Sequence, residues 1–460
     1  MAQKFIAGEI KKRPGVYYRY SNNSSVSAAA MDGVNAIVIK GSWGPLGVVT
    51  AHNTAQNIID TYGSGAGVEA ALMLIKGGAQ KVFVYRAKGT GGAKGSGAIG
   101  SVGTATAKYE GVKALSLKIQ EKPGDATKKQ AIVLEGTKQL ELFEFTANAE
   151  DETAALKGAV ASSKYIDVAF TATGVIGAAT IELAGGADPV VTATDYSAGF
   201  KALEPYRYNV LTTDSTEAEV TELVKAYMET TENIGKFAMA VIGASAGATF
   251  ATRQSEAKAC NSHNVIYFGS SYIDGEGATI EGAKAINKVA GIISSTPSSQ
   301  SIVHSVVPDA VDIPEKLTVE EYESAIDNGL LLLSVGPDGQ VWFDTGINTM
   351  TIPSEEEDEG WKKIKRTKVR YEMMDRIDRV VAPLVGRINC DPDGIAAILQ
   401  AGMGVLNDMV AERKILAGAT MVEDPDNPYS VDSAWFIIQA DDIDSLEKIY
   451  LHYQFRYSQA

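Results

Sequence analysis

Lys236-Phe-Ala-Met-Ala-Val-Ile242, followed at once by Gly243-Ala-Ser-Ala-Gly247, is the stretch from which the fold is read. Six uncharged residues after Lys236 are too few for a helix and too apolar for a half-exposed strand. They read as a strand buried on both faces, feeding a tight turn of small residues. A helix is expected next at 249–260, then a second buried strand, Asn264-Val-Ile-Tyr-Phe268, and a helix at 282–294. Upstream the same rhythm appears. Tyr208-Asn-Val-Leu-Thr-Thr213 precedes a helix at 217–230, with Asp214 and Ser215 as its expected caps. Strands alternating with helices specify a parallel sheet with crossovers on both faces, an open doubly wound α/β domain.

Residues 33–86 repeat the pattern. Gly33-Val-Asn-Ala-Ile-Val-Ile-Lys40 is a strand, Gly41-Ser-Trp-Gly-Pro-Leu-Gly47 a tight loop, 55–61 and 68–76 short helices, and Lys81-Val-Phe-Val-Tyr-Arg86 the next strand. The stretch from Lys88 to Gly103 is Gly-, Ala- and Ser-rich and is expected to be a flexible hinge. Beyond it the period changes to two. Lys113-Ala-Leu-Ser-Leu-Lys-Ile-Gln120, Gln130-Ala-Ile-Val-Leu134 and Gln139-Leu-Glu-Leu-Phe-Glu-Phe145 alternate with turn signals such as Pro123-Gly124. A helix at 151–162 and strands at 165–171 and 180–183 follow. Residues 88–190 therefore read as a β-rich domain inserted into an α/β domain formed by 31–87 and 191–353.

Past Pro308 and Pro314, a helix at 317–327 is capped by Thr318 and ended by Asn328-Gly329. Strands 330–335 and 340–343 flank the hairpin signal Gly336-Pro-Asp-Gly339. Ser354-Glu-Glu-Glu-Asp-Glu-Gly360 is a solvated acidic loop and marks a boundary. The next run is basic, with Lys362, Lys363, Lys365, Arg366, Lys368 and Arg370. Helices near 371–385 and 392–416 and strands at 417–422 and 433–438 make 354–440 an α+β domain. The polar link Asp441-Asp-Ile-Asp444 leads into the last segment.

That last segment, Glu447-Lys-Ile-Tyr-Leu-His-Tyr-Gln-Phe-Arg-Tyr-Ser458, alternates over ten residues. Ile449, Leu451, Tyr453, Phe455 and Tyr457 fall on one side of a strand, and Tyr450, His452, Gln454 and Arg456 on the other. A half-apolar strand at a chain end needs a sheet edge, in its own subunit or in a neighbour. The opposite end, 1–30, is basic on an acidic chain. Its Val16-Tyr-Tyr-Arg-Tyr20 reads as a short strand, Val16, Tyr17, Tyr18, Arg19 and Tyr20, followed by the polar tether Ser21-Asn-Asn-Ser-Ser25. Residues 1–30 and 441–460 are thus read as arms.

Composition narrows the function. A formal net charge of −15 argues against general nucleic-acid binding, which requires a basic surface. The apolar run at 329–335 is too short to span a bilayer, and no signal core opens the sequence. Two cysteines, Cys260 and Cys390, make no disulfide framework and suit a reducing cytoplasm. The four histidines, His52, His263, His304 and His452, and the cysteines are scattered without ligand spacing, so no metal or other cofactor is expected.

Two motifs suggest enzyme chemistry. In Lys88–Gly103, Lys94 is followed by Gly95 rather than the Ser/Thr a phosphate loop needs, and Gly63-Ser-Gly-Ala-Gly67 lacks the third glycine of a dinucleotide loop. Gly243-Ala-Ser-Ala-Gly247 matches the nucleophile elbow G-x-S-x-G between a strand and a helix, making Ser245 the candidate nucleophile of a serine hydrolase. The histidines fit the required chain order poorly, and no His-Gly-Gly oxyanion motif is present. Small residues at a tight strand-to-helix turn explain the match equally, and no catalytic residue is assigned.

Several stretches in order resemble the contractile tail sheath proteins of bacteriophages and phage-tail-like particles, nearest to those of Gram-positive myophages. They are Arg13-Pro-Gly-Val-Tyr17, the strand 33–40 with its Gly44-Pro45 loop, Leu317-Thr with Tyr322, Ala325 and Asn328-Gly329-Leu330, then Val341-Trp342, Gly346 with Thr349, Lys365-Arg366-Thr-Lys-Val-Arg370, and the aromatic terminal strand. The resemblance implies a subtilisin-like central sheet without a catalytic triad, a variable inserted domain, and a basic strand running into a long helix after residue 360. It implies a non-enzymatic subunit that polymerises in rings of six stacked helically, exchanging both terminal strands with its neighbours. The sheath would surround a tail tube, meet baseplate and terminator proteins, and contract to drive the tube through a bacterial envelope. Lys362, Lys363, Lys365 and Arg366 are then candidates to face the tube. Neither nucleic acid nor membrane is an expected partner of the sheath. The expected place is a virion tail or tail-like particle, assembled in the host cytoplasm. A different self-assembling shell or surface-layer protein would carry the same features.

Overall fold

The computed structural model describes residues 32–456 and, ahead of them, 3–4 and 17–18. Its centre is a seven-stranded sheet. From one edge to the other the strands are Leu330–Leu331, Val265–Phe268, Met239–Gly243, Val210–Thr213, Val34–Ile39, Lys81–Arg86 and Val49–His52. All neighbours are parallel except the last pair. The alternation of each strand divides the core in two. Ile37, Ile39, Val82, Val84, Val210, Val241 and Ile266 face helices Ala66–Lys76 and Gly282–Ser295. Ala36, Val38, Leu211, Ala240 and Tyr267 face helices Ala193–Leu203, Ala218–Thr231 and Phe250–Cys260. Apolar residues on both faces are what a sheet covered by helices on both sides requires.

The two helices over the first face touch backbone to backbone. A Cβ on Gly77 would lie 2.3 Å from the Lys288 carbonyl oxygen, and one on Gly291 would lie 2.3 Å from that of Leu74. At the carboxyl ends of the two central strands, Asp214 is half-buried. It accepts from the Lys40 amide at 2.7 Å and the Tyr196 hydroxyl at 2.5 Å. Burial pushes its pKa up to about 6 against those hydrogen bonds. The expected cap is thus occupied elsewhere, and Ser215 Oγ alone accepts from the Glu217 amide, at 3.2 Å.

The Gly-rich stretch after Lys88 is not a hinge. It pairs with the returning chain through antiparallel bridges at Thr90–Val190, Ala93–Ala187 and Ser96–Ala184, making a two-legged stem. Two of its glycines serve close approach: a Cβ on Gly95 would meet the Leu183 carbonyl oxygen at 2.5 Å, and one on Gly97 that of Glu182 at 2.4 Å. Strands Ser96–Ile99 and Gly103–Ala107 follow, unforeseen because Gly and Ala carry little strand signal. With Ile166–Phe170 they form one antiparallel sheet, and Lys138–Thr146, Asp125–Glu135, Leu115–Lys122 and Ala179–Glu182 form another. The enclosed core takes in Trp43 from the central region, whose ring stacks on Tyr165 at 5.9 Å. Arg86, fully buried, donates to the carbonyls of Gly41, Gly44 and Glu110 at 2.8–2.9 Å and ties the stem's foot to the sheet.

Two other expectations are corrected, and two elements were unforeseen. The strand foreseen at 330–335 breaks in two. Leu330–Leu331 closes the large sheet, and Leu333–Val335 turns into a hairpin with Val341–Phe343. The basic stretch is no strand: a 3-10 turn, Glu359–Lys362, passes into a helix, Ile364–Val381, that ends before Pro383. The helix Ala193–Leu203 and edge strand Val49–His52 were not foreseen. In the last region, helices Ile364–Val381 and Pro392–Ala411 pack through Val369, Val405, Leu406 and Met409 beside the ribbon Thr420–Glu423/Phe436–Gln439. Pro392–Ala411 is long and apolar enough, by length and composition alone, to cross a membrane, and its inner face packs in this core.

Changing Gly291 to Ala should force the helices 66–76 and 282–295 apart and destabilise the chain by about 1–3 kcal/mol. Urea unfolding followed by tryptophan fluorescence measures it. A midpoint equal to that of the unmodified protein would show that the contact is not tight.

Candidate functional site

The segment after Ile443 is the most exposed apolar part of the described chain. Residues 443–456 join no strand. Ile449, Leu451, Tyr453 and Phe455 are exposed, Phe455 to 93%, and so are Tyr450, His452, Gln454 and Arg456. The backbone is extended enough that the Tyr453 and Phe455 rings, two residues apart, stack at 6.3 Å on one side. Period-two geometry is therefore present without a ladder. The backbone N–H and C=O groups are left to water, and the apolar side with them. Tyr457 lies outside the described residues. At the other end Tyr17–Tyr18 pairs in parallel with Gln3–Lys4, while Val16, Arg19 and Tyr20 lie outside the described residues.

The basic run turns toward its own chain. Lys363 donates to Asp444 at 2.5 Å and to Glu447 at 2.8 Å. Lys365 donates to Ser445 Oγ at 3.0 Å. Arg366 holds Asp442 through two nitrogens, Nη2 at 2.8 Å, and Arg370 reaches the same carboxylate at 3.1 Å. Lys362 pairs with Glu359 at 2.6 Å. Burial would raise the Asp442 pKa, but the two guanidinium groups hold it below the usual carboxylate value. Sequence alone offered these cations to an outside partner. In the structure Lys363, Lys365 and Arg366 bond the root of the terminal segment, and Lys362 bonds Glu359.

The helix carrying these cations is itself anchored by buried charge. Glu372 accepts from Lys414 at 2.7 Å and is also bonded by Ser298 and Arg376. Arg376 grips Glu412 with both terminal nitrogens at 2.8 Å, and together with Lys414 it pulls the Glu412 pKa down to about 2. Lys368, its pKa pushed down to about 8 by burial, donates to the carbonyls of Ile293 and Thr296. Arg207 adds bonds to Asp375 at 2.5 Å and Asp378 at 3.1 Å. Helix Ile364–Val381 is thereby fixed to the central region at several points.

His263 ties the acidic loop to the same seam. Its Nδ1 is 2.5 Å from Glu357 and its Nε2 is 2.7 Å from Glu232 and 2.9 Å from the Tyr371 hydroxyl, with the Trp361 ring tilted against it at 4.5 Å between centroids. Burial opposes the charged form, yet the two carboxylates outweigh it and raise the pKa. This histidine was noticed in the sequence only as a potential base; nothing local indicated its carboxylate partners.

Ser245 is exposed in an open cleft beside Arg253, Ser270, Glu281 and Glu315, and no histidine lines it. Arg253 is committed to the Gly269 carbonyl and to Glu315, whose two oxygens it meets at 2.6 Å. The left-handed backbone angle in this turn belongs to Gly247, and Ser245 is not among the non-glycine residues with positive φ. The strained turn of a nucleophile elbow is absent. Among the described residues no group of three or more His, Cys, Asp and Glu is placed to hold a metal.

Comparisons with known proteins agree with this picture. Residues 190–349 match the family model described as the phage tail sheath protein central domain. A curated protein of Bacillus subtilis, the uncharacterized YqbK, is 23% identical over 384 residues, covering 79% of this chain and 78% of its own. Two crystal structures of sheath tail proteins share the fold at 18% identity. That of Desulfitobacterium hafniense has a TM-score of 0.73 over 93% of this chain and 100% of its own, and that of Listeria innocua 0.70 over 91% and 98%. The helical sheath of the anti-feeding prophage in its contracted state aligns with a TM-score of 0.54 at 12% identity, over 97% of this chain and 99% of its own.

Two measurements bear on these sites. Ser245→Ala should leave every property of the protein unchanged, and a fluorophosphonate probe should not label the unmodified chain at Ser245; labelling there would restore the hydrolase reading. For His263 the raised pKa means that its ion pairs stabilise the fold fully below pH 6.5 and lose that contribution as pH rises through the folded value. His263→Gln should therefore lower the thermal midpoint most at pH 6 and least at pH 9. A deficit independent of pH would assign the histidine a packing role only.

Proposed function

We infer from the central-domain match that the chain is a phage tail sheath protein, a structural subunit of a contractile tail. The observation that carries the mechanism is the exposed, extended 443–456 segment, apolar on one side and without a sheet edge of its own. The segment adds a strand to a neighbouring copy, with 449–457 as the exchanged residues, and Val16–Tyr20 does the same from the other end. The ribbon Thr420–Glu423/Phe436–Gln439 is a suitable receiver. Two strands alone are marginal, each keeps one free edge among the described residues, and Trp435, Ile437 and Ile438 are exposed on it.

The energetics favour a mesh over a single strong contact. Ordering ten residues costs roughly 10–20 kcal/mol of backbone entropy. Burying five apolar side chains returns roughly 8–15 kcal/mol, and six backbone hydrogen bonds add roughly 3–9 kcal/mol. One arm is near balance, so two per subunit repeated through a lattice give avidity. Tethered bodies can slide and rotate as the lattice shortens. In this reading the copies form stacked rings of six around a tail tube, between a baseplate and a terminator, in a virion tail or tail-like particle assembled in the host cytoplasm. The work in this reading is mechanical rather than catalytic.

Negative-stain microscopy of concentrated protein tests the reading. Striated tubes are expected; flat arrays would indicate a surface-layer or shell protein, and discrete particles would end the assembly reading. Removing residues 447–460, or 1–20, should abolish tubes while the circular dichroism spectrum and thermal midpoint stay those of a folded monomer. Normal sheaths from either truncated chain would refute strand exchange.

A further inference from the structure

The root of the C-terminal segment is held more firmly than a flexible linker requires. Residues 441–443 run beside 414–416, with the Leu416 amide donating to Asp441 at 2.8 Å and the Ile443 amide to Lys414 at 2.9 Å. Onto this short ladder the first two turns of helix Ile364–Val381 place Arg366 and Arg370 against Asp442, whose carboxylate is only 7% exposed. Lys363 and Lys365 then take Asp444, Ser445 and Glu447 in succession. The seat is shaped for the purpose. Gly360 lies under the Arg366 guanidinium, where a Cβ would stand 2.4 Å from its Cζ. Arg370 is held over the Trp361 ring at 4.6 Å. Past Glu447 the pattern stops, and residues 448–456 are all exposed.

We propose that Lys363, Lys365, Arg366 and Arg370 are positioning residues for strand exchange: they clamp the acidic root 442–447 and so decide which neighbouring copy the terminal strand can reach. The proposal rests on the sheath reading above. Its geometric content is a difference in reach. With the clamp closed, the thirteen residues after Glu447 extend at most roughly 43 Å, at ~3.3 Å per residue. With the clamp open, the twenty residues after Ala440 extend roughly 66 Å on the same basis. A tether about half as long again admits additional copies in a dense lattice, and the effective concentration at the intended edge falls with it. The pairing is ionic and partly solvent-accessible, so added salt weakens it.

The test uses the full chain with Lys363→Glu and Arg366→Glu together, and a swapped variant carrying Arg366→Asp with Asp442→Arg. Hydrogen exchange on the monomer reads the clamp directly. The peptide spanning 442–448 should exchange about tenfold faster in the double reversal and recover at least partly in the swap, while peptides from 34–39 and 239–243 stay unchanged. Equal protection of 442–448 in all three proteins would overturn the clamp. Microscopy of assembled tubes reads the consequence: the reversal should give mixed or disordered lattices, and the swap should restore one axial repeat. A reversal variant with an open clamp and an unaltered repeat would overturn the role in choosing a neighbour. If the unmodified protein forms no tubes, the sheath reading fails and with it the proposed role, while exchange still decides whether the clamp exists. Faster exchange in 34–39 would expose a fold defect instead, in which case the swapped pair alone decides the clamp.

Discussion

An apolar strand that has no edge inside its own fold is the constraint on which the rest of this molecule depends. Backbone hydrogen-bonding groups and alternating aromatic side chains cannot both remain in water without cost, and no sheet among the described residues takes them in. Every rigid part of the chain can be understood as giving that strand a fixed starting point. The seven-stranded sheet, covered on both faces, supplies a close-packed body. Helix Ile364–Val381 is joined to that body by Ser298 on Glu372, by Lys368 on the Ile293 and Thr296 carbonyls, and by Arg207 on Asp375 and Asp378. The root of the terminal strand lies on this helix. Rigidity from the sheet thus continues to Glu447 and ends there.

Buried charge is an expensive way to join two regions, since each ion loses hydration that pairing only partly returns. It does confer orientation. An apolar seam tolerates small slides, whereas a lysine held between two carbonyls across the seam, as Lys368 is, does not. The stem beneath the inserted region follows the same logic with neutral groups. Arg86 satisfies three carbonyls, and paired backbone legs replace what composition suggested would be a loose joint.

Much of the central fold was legible because buried parallel strands are short, apolar and bounded by small residues. Positions 34–39, 81–86, 210–213, 239–243 and 265–268 needed no context to be recognised. The misses share a cause. Ser96–Ile99 and Gly103–Ala107 are strands because neighbouring backbone pairs with them, although Gly and Ala have little preference for that state. Leu332 ends one strand and starts another because two different partners lie on either side of it. The basic stretch after Trp361 is helical because it packs and pairs along one side, a fact invisible in a list of its charges.

The amino-acid sequence by itself determined the doubly wound centre, the alternation of the last ten residues and the lack of a convincing catalytic set. Each of these is a local property, set by side-chain volume, polarity and period along the chain. Only the tertiary structure decided where the charges go. Which carboxylate answers Arg366 and what surrounds His263 depend on residues tens to more than a hundred positions apart. Electrostatic and hydrogen-bonded pairing acts through space, so a one-dimensional pattern can announce that a partner is needed but cannot name it.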